Sequence, residues 1–272
     1  MKILAAKAKK PKDLLNISGI KIALLNAAGV SDKAANYMED KNKIEAIRGL
    51  IENFLEPAGP DFVEELVFRF LLTQGDALGG TMRNLAGVLA QRKLSRAIIA
   101  GLRNAGMTFK CLTDNSGLWN LEPQQDDKIK GISWSSNNKK RTLLYNKKVP
   151  IVGNNVDVAI INIGWESLDN EIKIQDAIRN PALYIALGEL KGGIDPAGAD
   201  ERWKTASTAI SRIRSNFAKI SLSPKIFFIA ASISRKMARE IWKQLDQHTL
   251  HNAANLTDQT QIASICNWVI TI

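Results

Sequence analysis

The sequence predicts an α/β protein in two parts: a helical subdomain over residues 1–105 and an α/β domain over residues 106–272. Three observations lead there. From Pro11 to about Ala105 apolar residues recur at spacings of three and four, with no strand signal. After Gly106, short apolar runs alternate with helix-period stretches, the pattern of a layered α/β structure. Hydrophobic residues make up 45% of the 272 residues, enough for a true core.

The elements follow in order. Residues 1–11 are basic and read as frayed. Ser31-Asp32, after Gly29, suits a helix start, and Ile44, Ile47, Leu50, Ile51 and Phe54 mark one amphipathic face. Glu56-Pro-Ala-Gly-Pro60 is a break. A second helix follows, with Phe62, Leu66, Phe70 and Leu71 on one side. Gln74 to Gly87, QGDALGGTMRNLAG, reads as a turn leading into a further helix that ends near Ala105. Beyond Gly106, Thr108–Leu112 and Leu118–Leu121 predict short strands around a turn at residues 114–117. Strands are also expected at Thr142–Tyr145, Val149–Val152 and Val156–Ile163, with a polar helix or insert over Glu166–Asn180. Tyr184–Lys191 predicts a strand, Trp203 to about Phe217 a helix, Lys225–Ile233 a strand covered on both faces, and Arg235–Leu245 a helix. Ile265–Ile272 closes the chain as an expected last strand.

Charge narrows the function. The formal net charge is +10, which points to a polyanionic partner, either nucleic acid or an anionic surface. Between Lys128 and Lys148 lie seven basic residues and no acidic one: Lys128, Lys130, Lys139, Lys140, Arg141, Lys147 and Lys148. This stretch reads either as a solvated loop or as one that grips phosphates with salt-sensitive contacts. Two cysteines far apart in sequence, Cys111 and Cys266, make neither a disulfide framework nor a zinc pattern. A reducing, cytoplasmic compartment is expected. The N-terminus lacks the apolar core of a secretory signal, and the longest apolar run is too short to cross a bilayer. No G-x-x-x-x-G-K-[ST] loop occurs, so no nucleotide cofactor is implied. His248 and His251, with no cysteine near, read as a polar loop at a helix end.

The chemistry concentrates in YIALGELKGGIDPAGADERWK, Tyr184 to Lys204. On a strand, Glu189 and Lys191 project to the same side. A carboxylate and an ammonium at the end of a buried strand are costly unless something uses them. Asp157, in VDVAII, offers a second carboxylate from an earlier strand. Two hard acids and the carbonyl of Leu190 suit magnesium, which keeps several waters and can lower the pKa of a bound water and neutralise added charge. Lys191 can then contact a phosphate or the attacking water. The plainer alternatives are a strand-end aspartate bonded to a turn and a surface Glu–Lys ion pair. An E-x-K triplet alone discriminates weakly; the GGIDPAGADE that follows it carries more.

The half from about Tyr145 onward resembles the PD-(D/E)XK nuclease superfamily, and ELKGGIDPAGADERWK resembles the active-site segment of the AvaI/BsoBI family of type II restriction endonucleases over about sixteen residues. GDALGGTMRN is similar to that family as well. The resemblance implies a PD-(D/E)XK restriction-endonuclease-like core, a central mixed sheet flanked by helices. It also implies a catalytic trio of Asp157, Glu189 and Lys191, although Asp157 lies unusually far ahead of Glu189 for the superfamily. One residue departs from the family pattern: where a histidine follows ADE in the motif, this chain has Arg202. An arginine stays protonated and takes up no proton, so activation of the water falls to Lys191, the metal or the substrate phosphate.

The resemblance further implies an Mg2+-dependent enzyme that cuts one phosphodiester in each strand of a short palindrome in double-stranded DNA. It would act as a homodimer, two-fold protein symmetry matching two-fold DNA symmetry. The helical part would grip the duplex or form the dimer. Asp195, Asp200 and Glu201 can accept from the cytosine amino group, and Arg202 can read guanine or clamp a phosphate; a C/G-containing site is therefore expected. Helix capping is the plainer role for Asp200 or Glu201. Lys204 and Arg83 are further DNA-contact candidates, with a helix salt bridge as the plainer role of Arg83. A DNA-binding protein with a decayed nuclease core, and a repair or structure-selective nuclease of the same superfamily, are the competing readings.

Overall fold

The computed structural model describes residues 1–114, 117–121, 128–136 and 139–272. Asn115 and Ser116, in the turn expected at 114–117, lie outside the described residues. The chain divides into two compact units, Met1–Met82 and Arg83–Ile272.

The first unit is helical: α1 (Lys2–Ala5), a short 3-10 turn at Pro11–Asn16, α2 (Lys21–Ala27), α3 (Asp32–Ala35), α4 (Asp40–Leu50) and the start of α5 (Phe62–Asn104). The Ser31 hydroxyl accepts from the Ala34 N–H and caps α3 as expected. The N-terminus is not frayed: Ala5 is fully buried among Leu14, Leu24, Ile47 and Leu55, and Leu4 packs against them. Ile47, Leu50 and Ile51 face this core, whereas Ile44 and Phe54, 46% and 42% exposed, lie outside it. A wider turn at Ile51–Leu55 prolongs α4 before the break at Pro57–Pro60. Phe62 and Leu66 are buried, but Leu71 is 60% exposed. The turn expected at Gln74–Gly87 is absent. α5 is helical throughout, carrying Gly75, Gly79, Gly80 and Gly87 in its interior despite the roughly 1 kcal/mol each costs relative to alanine.

The second unit is a mixed sheet between two helical layers. Among the described residues the sheet order is β2-β1-β3-β4-β5-β6-β7-β8. The strands are β1 (Thr108–Leu112), β2 (Trp119–Asn120), β3 (Gly131–Ser136), β4 (Lys139–Val149), β5 (Asn154–Ile161), β6 (Tyr184–Lys191), β7 (Lys225–Ala230) and β8 (Asn252–Asn255). Neighbours from β2 to β6 are antiparallel, while β6, β7 and β8 run parallel. One face packs against α6 (Glu171–Arg179), α7 (Ala199–Ala218) and α8 (Arg235–Asp246) through Ile174, Trp203, Ile210, Phe217 and Ile241. The other packs against the C-terminal half of α5 and against α9 (Gln259–Thr271) through Leu94, Ile98, Ile262 and Ile265. Covering on both faces explains why β7 reads as a continuous apolar run.

Three expectations are corrected here. The C-terminus is helix α9, not a strand. Ile262, Ile265, Cys266, Val269 and Ile270 are all buried, and their spacing of three and four puts them on one helical face. The closing strand of the sheet is instead β8, in the polar-looking Asn252–Asn255. The five basic residues from Lys139 to Lys148 lie not in a loop but on β4, which pairs antiparallel with β3, and Val149–Val152 turns where a strand was expected, with the Val152 and Gly153 N–H groups donating to the Val149 carbonyl. Cys111 and Cys266 are unpaired and buried in one cluster, where burial pushes both thiols up to about 12.

Candidate active site

The centre of the sheet sets the site. Strands β5 and β6 pair as Ala159↔Leu187 and Val158↔Gly188, which is the last pair in register. Gly188 is needed there because a Cβ would run into the Phe227 ring of β7. Ala159 and Leu187 both face the α7 layer. Two residues further along their strands, Asp157 and Glu189 therefore leave on that same face. Past the last pair, the Leu190 N–H donates to the Asp157 carboxylate at 2.9 Å in place of a backbone carbonyl. The two strands thus part where the two acids meet.

Lys191 joins them. Its Nζ lies 2.7 Å from Asp157 Oδ2 and 2.6 Å from Glu189 Oε2. Glu189 is 4% exposed, while Asp157 and Lys191 are part-buried. Burial, then the charge of Asp157, push the Glu189 carboxyl up to about 7, even though Lys191 pulls the other way. For Lys191 burial alone would favour the neutral amine. The charges of Glu189 and Asp157 outweigh it, and its pKa is raised. The trio is therefore a region of negative potential with one bridging cation, and Lys191 is held protonated.

The donor chemistry fits a magnesium ion. Among the described residues no group of three or more His, Cys, Asp or Glu side chains converges, so the protein donors are two carboxylates and the backbone. Leu190 contributes there. A strand residue directs its N–H and C=O to the same side, and the Leu190 N–H already points at Asp157. The Lys191 carbonyl points the other way, accepting from the Ala231 N–H at 2.9 Å. Two or three hard oxygens with the balance from water is what magnesium takes.

Two openings reach the trio. A cleft of about 630 Å3 is lined by Arg83 and Gln91 of α5 together with Asn146, Asp157, Lys191 and Arg202. Asn146 stands opposite Asp157, between the pairs Tyr145↔Val158 and Lys147↔Val156, with a left-handed φ of 51°. Its amide donates to Gln91 Oε1 at 2.9 Å, and the Gln91 amide donates to the Ile129 carbonyl at 2.6 Å. Gly192 makes the approach possible, since a Cβ there would strike the Ala86 carbonyl of α5. A second cavity of about 290 Å3 opens from Asp157, Glu189 and Lys191 toward α7.

The expected DNA-contact residues divide. Arg83 and Arg202 reach the large cleft. The Arg202 guanidinium donates to the Asp195 carbonyl and lies against Gly193 and Gly198, where any Cβ would collide with it. The Asp195 carboxylate is exposed and accepts from the Ala197 N–H at 3.0 Å. Asp200 accepts from the Ser234 hydroxyl at 2.6 Å, which ties the first turn of α7 to the cap of α8. Glu201 on the first turn of α7 and Lys204 on the second are exposed, 3.9 Å apart. Lys139, Lys140 and Arg141 are not brought to the trio: on β4, Lys139 is seven residues from Asn146, roughly 23 Å along an extended strand. Lys140 faces Glu166 at 3.5 Å. Arg141 is 8% exposed, and its guanidinium donates to the carbonyls of Ile272 and Lys140 and to Asn162. It serves the interior of the unit, so no phosphate grip is assigned to it. The basic residues of β4 nearest the trio are Lys147 and Lys148. Asn146 and Gln91 went unnoticed in the sequence, where neither carries a charge or a motif. His251 is structural: its Nδ1 accepts from the Ile226 N–H at 3.0 Å.

Residues 1–272, the whole chain, match the family model described as restriction endonuclease BsobI. Type II restriction enzyme AvaI of Nostoc sp. is 50% identical over 276 residues, spanning 100% of this chain and 86% of that protein. AvaI of Anabaena variabilis gives the same figures. Type II restriction enzyme BsoBI of Geobacillus stearothermophilus is 51% identical over 279 residues, spanning 100% of this chain and 85% of that protein.

Proposed function

The chain belongs to the BsobI restriction endonuclease family, and on that premise we propose that it is a type II site-specific deoxyribonuclease. It hydrolyses one phosphodiester in each strand of a short, C/G-containing palindrome, with Mg2+ and as a homodimer. The observation that carries the chemistry is the convergence of Asp157 and Glu189 on the Lys191 ammonium at 2.7 and 2.6 Å, where two antiparallel strands part. The positive charge of the chain supports a polyanionic substrate. Among the described residues, no helix is long and apolar enough to cross a membrane.

Asp157, Glu189 and the Leu190 carbonyl would hold the magnesium, which supplies charge neutralisation and a more acidic water. The rest falls to this chain. Lys191, kept protonated by its two carboxylates, donates hydrogen bonds: it orients the attacking water and holds a non-bridging phosphate oxygen as negative charge builds there. It is a donor in this arrangement, not a base. Arg202 cannot accept a proton either, so the proton from water leaves through a substrate phosphate oxygen or to solvent. Arg83 and Arg202, which both line the large cleft, are cations for phosphate or guanine, and Asp195, whose carbonyl holds Arg202, is an acceptor for the cytosine amino group. Residues 1–105, which bring Arg83 and Gln91 to the cleft, grip the duplex or form the dimer.

Incubating a DNA of known sequence with the protein tests this. Discrete fragments with magnesium, and none with chelator, are expected. Intact DNA would leave the decayed-core reading, and a smear or nicks would leave the structure-selective one.

A further inference from the structure

The smaller cavity is unexplained by two acids, an amine and a metal. It opens from Asp157, Glu189 and Lys191 onto the α7 face that carries Thr205, Thr208 and Arg212. Those residues stand at i, i+3 and i+7, so one helix face presents them together. Its opposite wall is the entry to β5, Asn154 and Asn155, immediately before Asp157. Trp203, Ala206, Ile210, Ile213 and Phe217 anchor the buried face of α7. The polar face is thereby fixed over the trio and not free to turn away.

The charges in this cavity are arranged for an anion at the α7 end. Asp157 and Glu189 share Lys191 at the sheet end of the cavity, whereas Arg212 is exposed and has no acidic partner among the described residues. Its guanidinium is held by the Asn154 side-chain oxygen once that amide is oriented to donate to the Gly153 carbonyl at 2.9 Å. That bond uses one arm of the fork and leaves donors facing the cavity. Thr205 and Thr208 donate back to the Glu201 and Lys204 carbonyls. Their hydroxyls line the wall without adding a charge.

We propose that this cavity is a phosphate subsite: Arg212, steadied by Asn154, binds the phosphate neighbouring the scissile one on the strand being cut. The subsite rests on the nuclease reading above and adds to it a residue that positions the strand. A backbone gripped on both sides of the trio cannot slide along it, so the scissile phosphate stays over Lys191. Arg212 is a positioning residue in this account, and the bond it makes is to a group that does not react.

The test uses short duplexes carrying the site mapped with the wild-type enzyme. In each duplex one phosphate flanking the cut is replaced by an uncharged methylphosphonate. At one of these positions the replacement is expected to slow the wild type roughly tenfold or more, the worth of a hydrogen bond to a charged group. At that position Arg212→Ala should cut natural and substituted duplexes at the same reduced rate. Arg212→Lys should recover part of the loss, and the salt slope of Arg212→Ala binding should fall by about one. Arg212 is exposed, so thermal unfolding of both variants should match the wild type. If the substitution costs wild type and Arg212→Ala equally at every position, the subsite is wrong while the nuclease reading stands. A wild type that yields no mapped cut in the first place strikes at the nuclease reading itself.

Discussion

Glu189 gives the most quantitative handle on the site. Its carboxyl sits at about 7, against an ordinary value of 4.5, because it is buried and faces Asp157. Between those values the folded chain binds a proton that the unfolded chain has released. Its contribution to stability is therefore complete below 4.5 and is lost as pH rises through 7. A shift of about 2.5 units corresponds to roughly 3 kcal/mol, so the ionised carboxylate strains the metal-free protein by about that amount at pH 8. Glu189→Gln keeps the shape of the protonated acid and cannot ionise. In chelator, the variant should match the wild type at pH 4 and exceed it by roughly 3 kcal/mol at pH 8. Urea unfolding followed by tryptophan fluorescence reads this directly, since all six tryptophans lie in the second unit, which holds the site. Magnesium should then stabilise the wild type at pH 8, by about 2.7 kcal/mol at a hundred times its dissociation constant, and the variant much less. A Gln-minus-wild-type difference that stays constant from pH 4 to pH 8 would refute the reasoning.

Other expectations are simpler. Lys191→Ala should leave specific DNA binding within a few fold by gel shift and reduce cleavage at least 1000-fold, the upper range for removing one preorganised donor. Gly192→Ala should destabilise the second unit by roughly 1–3 kcal/mol in the same urea assay, because the new methyl meets the Ala86 carbonyl of α5. Trp203→Phe removes the 2.6 Å bond from the indole to Glu240 and should cost about 1–3 kcal/mol, while Glu240→Gln, which can still accept, should cost less.

Much of the second unit was legible because single residues announce its elements. β1 and β6 fall at the residues expected, Thr108–Leu112 and Tyr184–Lys191, each an apolar run bounded by glycine or polar turns. The pairing of Glu189 with Lys191 on one side of β6 follows from strand alternation alone, and the parting of β5 from β6 lets Asp157 join them. The misreadings have physical causes. Glycines at 75, 79, 80 and 87 signal a turn locally, yet α5 carries them as helix. Trp268-Val-Ile-Thr-Ile is β-branched and strand-like in isolation, but Ile262, Ile265 and Cys266 set the longer helical period that governs α9. Asn252–Asn255 has no strand propensity and joins the sheet because it lies beside β7. The basic residues 139–141 looked like one patch with 147 and 148. Extended along β4 they separate by the length of the strand, and only the later pair comes near the trio.

The central claim is that Asp157 and Glu189 hold one divalent ion against the DNA backbone with Lys191 beside it. Cleavage by Asp157→Asn in magnesium measures this most directly, since the change keeps the size of the side chain and an oxygen to receive the Leu190 N–H while removing the charge. The account predicts specific binding with no discrete fragments, and fragments at the wild-type rate would contradict it.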